Sequence, residues 1–214
     1  MGSIKKGILG GFSGKVGTVV GANWKSTNYI RSLPQNMKNP RTVGQRTQRS
    51  KMALVVTLLR QLITVLRIGW KLYAKRQSAF NACTAYTLAN AIKGTFPNFT
   101  IDYPKVMISR GNLTSMFNPK VLADGVEMRI TWADNSEIGD AKPTDKLLFA
   151  MVNPTKNESV VCFDDRARSH MALDVEISTH WVGDKVHLYA GFASEDGKEV
   201  ANSVYLGEIT IQTT

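Results

Sequence analysis

Acidic side chains are almost missing from the first 110 residues: Asp102 stands alone there against 18 lysines and arginines, a net charge of +17. A segment so poor in carboxylates cannot balance its own field with internal ion pairs. Its counter-charge must be solvent ions, a polyanion or an acidic protein surface. Residues 111–214 reverse the sign, with 9 basic and 16 acidic residues and a net −7, so the total of +10 hides a polarity along the chain. Cysteine is also scarce. Cys83 and Cys162 form no Cys-x-x-Cys pair, which excludes a disulfide scaffold and points to a reducing compartment or to buried thiols.

Long apolar runs are lacking too. Met52 to Trp70 is the most apolar stretch, but it carries Arg60 and Arg67, each costing about 2.5–3.5 kcal/mol at a bilayer centre. The stretch after Lys5 and Lys6, Ile8 to Val20, is interrupted by glycines and Lys15, which argues against a signal peptide. Lys6 occupies the place where a myristoylated Gly2 would need Ser or Thr. The expectation is a cytoplasmic or virion-associated protein with no membrane partner.

Catalytic signatures are missing. There is no Gly-x-Ser-x-Gly elbow, no His-Glu-x-x-His and no dinucleotide fingerprint. Gly10 to Lys15 fails the phosphate-loop spacing, because Leu9 replaces the first glycine and Val16 the Ser or Thr. His180 and His187, on either side of the Val182 to Lys185 turn, have no third ligand nearby and read as cross-strand packing. Asp164, Asp165, Arg166, Arg168 and His170 read as a charged strand connection. No catalytic residue, metal or cofactor is nominated.

What is present is a change of period. Glycine-punctuated Gly2 to Pro34 predicts a β-hairpin, with Lys15 to Ala22 as one strand, Asn23 to Asn28 as the connection and Tyr29 to Leu33 as the other strand. Thr42 and Gln45 fit a capping box, and the polar positions 46, 50, 57, 60, 64, 67 and 71 trace one helical stripe through an apolar helix. Gly69 predicts a bend, Ser78 a second cap and Gly94 a stop. Period two follows, with strands expected at 106–109, 126–132, 146–152, 159–163, 173–180, 186–193 and 204–211. The fold class read from this pattern is α+β: an N-terminal β-hairpin plus a helical segment, then an immunoglobulin/fibronectin-like β-sandwich. The domains expected are a basic region, 1–102, and an acidic sandwich, 103–214.

The candidate binding residues are the densest basic set and its interleaved aromatics: Lys5, Lys6, Lys15, Trp24, Lys25, Tyr29, Arg31, Lys38, Arg41, Arg46, Arg49 and Lys51. Cations beside exposed aromatics suit phosphates and stacked bases, and a solvated face is the bland alternative. Lys6 to Gly21, Trp24-Lys25, Tyr29 to Ser32, Asn39-Pro-Arg-Thr-x-x-Gln45 and Asn202 to Gly207 together resemble an uncharacterised family found largely in Bacteroidota genomes. The hairpin followed by the Asn-Pro-Arg-Thr helix start is also similar to some phage-associated proteins, which implies assembly. The expected function is therefore non-enzymatic: nucleic-acid binding without sequence specificity. The alternative is a self-assembling homo-oligomeric subunit whose basic half docks on a neighbour's acidic half.

Overall fold

The protein is described from a computed structural model, which covers residues 2–4, 10–24, 27–34 and 39–212, apart from the side chains of 164 and 165. By compactness the chain divides after Thr42, into residues 1–42 and 43–214.

The first unit is an antiparallel meander in the order β1 (Ser3–Ile4), β2 (Phe12–Val16), β3 (Val19–Trp24), β4 (Thr27–Ser32). The stretch expected to form one strand is folded in two by a two-residue turn at Gly17-Thr18, where Gly17 takes a φ of +57° that a side chain would resist. The expected connection shrinks accordingly, because β3 and β4 stay paired out to Trp24 and Thr27. Among the described residues of this unit only Gly21 is buried.

The second unit starts with α1 (Val43–Gln61), immediately after Thr42 as the cap pattern indicates. The apolar stripe does not continue straight into the next turn. At Leu62 the axis bends by 89° into α2 (Ile63–Gly69), with Leu62 N bonded to Leu59 O at 3.1 Å. No Gly or Pro marks this bend, and the residue at it is a fully buried leucine. No single helix among the described residues is long and apolar enough to cross a membrane. Ser78 caps α3 (Ala79–Asn90), its Oγ accepting from Asn81 N at 3.1 Å. Gly94 does not end this helix. It lies at φ +86° in a hairpin, β5 (Ile92–Thr95) and β6 (Asn98–Ile101), that the sequence pattern had not suggested.

Seven strands then build the sandwich: β7 (Phe117–Asp124), β8 (Glu127–Ala133), β9 (Lys146–Asn153), β10 (Glu158–Ala167), β11 (Ala172–Glu176), β12 (Lys185–Ala193) and β13 (Val204–Thr210). They form a three-stranded sheet, β11-β8-β7, and a four-stranded sheet, β10-β9-β12-β13. This is the fibronectin-like division of seven strands in chain order. The first strand is β7 rather than 106–109, which runs without regular structure into Ser109. The segment expected as a strand at 173–180 ends at Glu176 and continues as a short turn, Thr179–Trp181.

The four-stranded sheet is covered on both faces. Toward its partner sheet it presents Phe149, Met151, Leu188 and Phe192 around Trp132 and Ile130. Toward the helices it presents Leu148, Ala150, Val152 and Tyr189 against Leu59, Leu62, Leu66 and Trp70. Double burial explains why β9 reads Leu-Leu-Phe-Ala-Met-Val without alternation. Residues 43–102 thus share a core with the sandwich, and the unit has three layers: helices, sheet, sheet.

Candidate nucleic-acid interface

Side chains alternate between the faces of a strand, and cross-strand partners share a face. In the meander Lys15 pairs with Val20, Val20 with Arg31, Ala22 with Tyr29 and Trp24 with Thr27. One face therefore carries Lys15, Arg31, Tyr29 and Trp24. Both cations are exposed, Trp24 is 64% exposed and Tyr29 44%. The opposite face carries Phe12, Val16, Val19 and Ile30, with Asn23 Nδ2 donating to Asn28 Oδ1 at 2.9 Å. Ala22, paired with Tyr29 and two residues before Trp24 on the same face, is a short neighbour to both aromatics.

The other candidates lie elsewhere. Lys5, Lys6, Lys25 and Lys38 fall outside the described residues. Arg41 is exposed, with a φ of 45° and its N–H bonded to Asn39 Oδ1 at 3.4 Å. On α1, Arg46 lies 5.8 Å from the centroid of the Phe96 ring and Lys51 Nζ 4.9 Å from that of Phe99, so both cap the β5–β6 hairpin. Arg49 is exposed on the same helix.

The histidines do not face one another. His187 stacks on Tyr103 at 3.7 Å and its Nδ1 meets Tyr205 Oη at 2.9 Å. His180 meets Ser178 Oγ through Nδ1 at 2.5 Å and Glu158 through Nε2 at 2.7 Å. Hydrogen bonds from Trp181 and then His180 hold the Glu158 carboxyl below its ordinary range. This chain superficially matches a serine, histidine and acid triad. Ser178 and His180 are two residues apart on an exposed turn, so the contact is a local clamp. No group of three or more metal-ligating side chains occurs among the described residues. Arg168, taken from sequence as part of a charged connection, is instead fully buried, because β10 continues through to Ala167 and delivers it into the sandwich.

A family model matches residues 11–207. The chain belongs to the Family of unknown function (DUF6266). The DUF6266 match runs from just before β2 into β13, so the elements from β2 onward fall within one family pattern and β1 lies outside it. No curated protein matches the chain. Among solved structures, a computationally redesigned β-sandwich protein is similar at 14% identity and TM-score 0.37, covering 48% of this chain and 94% of its own. The fibronectin type III domain of the human collagen α-1(XX) chain is similar at 10% identity and TM-score 0.34, covering 50% and 87%.

Proposed function

We propose that the meander of this DUF6266 protein binds nucleic acid without sequence specificity, as a non-enzymatic binding or structural protein. The observation that carries the reading is the convergence of Lys15, Arg31, Trp24 and Tyr29 on one exposed sheet face, in a 42-residue unit with no carboxylate side chain. Flat aromatic faces stack on any base, and lysine and arginine neutralise phosphates whatever the sequence. Single strands offer unstacked bases to such a platform, and duplexes do not. Titrating a single-stranded oligonucleotide at several salt concentrations tests this, with a slope of about 0.7 in log K per phosphate neutralised. No binding at low salt, or a flat salt response, rejects it.

A second reading, self-assembly, is favoured by a separate observation. The outer face of β11-β8-β7 carries Asp124, Glu127, Asp174 and Glu176 around a groove of about 760 Å³ with Leu122 66% exposed, and Arg129 is the one cation among its lining residues. That surface has the sign needed to receive the basic part of a second copy. Light scattering over a concentration series decides it, and a monomer at every concentration sinks it.

A further inference from the structure

Within residues 43–214 a cavity of about 420 Å³ lies between α2, the turn after it and the strands β9, β10 and β12. Small-molecule sites span about 300–1,000 Å³. The floor is apolar: Ile68, Leu148, Phe163 and Ala193. Three cations stand around it, Arg67, Lys71 and Lys146. Lys71 Nζ also donates to Gly197 O at 3.1 Å, which ties the helical side of the cavity to the loop after β12. Glu195 and Asp196 lie on that loop and line the same cavity. Asp196 is already answered: its carboxylate accepts from Lys198 Nζ at 2.9 Å, Lys198 N at 3.0 Å and Ser194 Oγ at 2.7 Å.

An apolar floor by itself selects for grease, and a ring of cations by itself selects for a free anion. The two together favour an anion carried on an apolar body, whose charge stays at the mouth while its body displaces water from the floor. We propose that this cavity binds a small amphiphilic carboxylate or sulfonate. The proposal does not depend on the meander.

The full-length protein is titrated with anilinonaphthalene sulfonate, and decanoate and naphthoate are added as chain-type and ring-type competitors. The expected result is saturable fluorescence enhancement that at least one competitor reverses, the stronger one identifying the apolar body as chain or ring. Arg67→Glu and Phe163→Ala each weaken the dye about threefold to tenfold. Both residues are partly exposed, and an unchanged urea midpoint shows that the variants fold. Trp24→Ala, on the meander, leaves affinity unaltered. The idea is overturned by any one of four results: no saturable signal, no competition by either acid, affinity unmoved by both cavity variants, or binding lost in Trp24→Ala.

Discussion

The guanidinium of Arg168 lies 3.1 Å from the carboxylate of Asp145, and neither side chain reaches solvent. The same group donates to Asn135 Oδ1 at 2.6 Å and to Thr114 O at 2.8 Å, and lies 4.1 Å from the centroid of the Phe192 ring. Burial pulls its pKa down, and Asp145 foremost among the nearby acids opposes that pull. Three loops at one end of the sandwich are therefore joined through a single side chain.

Removing only the arginine strands a buried carboxylate, whose Oδ1 has no hydrogen-bond partner among the described residues. Arg168→Met is expected to cost about 3–5 kcal/mol in urea unfolding. Asp145→Leu added to it should restore much of the loss, because the paired replacement leaves no charge inside.

Burial lowers the pKa of His187, with Glu208 opposing and Lys185 adding to the shift. The unfolded state then binds the proton more readily than the native state does. The His187 contribution is complete above the unfolded value of about 6.5 and is lost as pH falls from there through the depressed native value. His187→Phe should flatten the stability profile in that window, as followed by urea midpoints at successive pH values. An unchanged slope there would count against the assignment.

Gly69 is required by closeness rather than by backbone angle. A Cβ there would sit 2.3 Å from Ile108 O, where residue 110 also bonds back to Gly69 O at 2.9 Å. Gly69→Ala should cost about 1–3 kcal/mol. Gly44→Ala, in α1 with open space around it, should instead stabilise by about 0.4–1 kcal/mol.

The two faces of the meander make opposite predictions for oligonucleotide affinity. Trp24→Ala and Tyr29→Ala should each lose about 1–3 kcal/mol of binding. Ile30→Ser, on the opposite face, should leave the affinity as it was, and equal losses on both faces would contradict a sheet-borne platform.

Desolvation pushes the Cys83 thiol up to about 12, against a smaller opposing contribution from Thr87. The thiolate is then rare at neutral pH, and the buried sulfur is inert toward disulfide reagents. No more than one thiol per native chain should react, and both should react in denaturant.

Much of the sandwich was legible locally. β8 alternates cleanly because one of its faces meets the partner sheet and the other meets solvent, and Asp124-Gly125 and Asp196-Gly197 mark real turns. The hairpin β5–β6 was missed because its strands are only four residues each, too short for the alternation of β6 to stand out, and β7 because it is mostly exposed and carries Pro119 within it. Of the cavity's cations, Arg67 and Lys71 lie four residues apart on the polar helical stripe, but Lys146 comes from β9, far along the chain, so no spacing could have joined it to them.

The sequence alone determined where the charge lies, because composition needs no folding: a leading segment without carboxylates is basic in any conformation. It also showed that a helical stretch precedes a strand-rich one, since period is a local property, although the boundary itself, with α3 ending at Asn90 and β5 starting at Ile92, was not read from it. Tertiary structure decided which of those residues share a surface. Only strand register puts Lys15, Arg31, Tyr29 and Trp24 on one face, and only the closing of the sandwich's strands and connections around it makes Arg168 an interior ion. Burial belongs to pairs of surfaces, and a single chain segment carries just one of them.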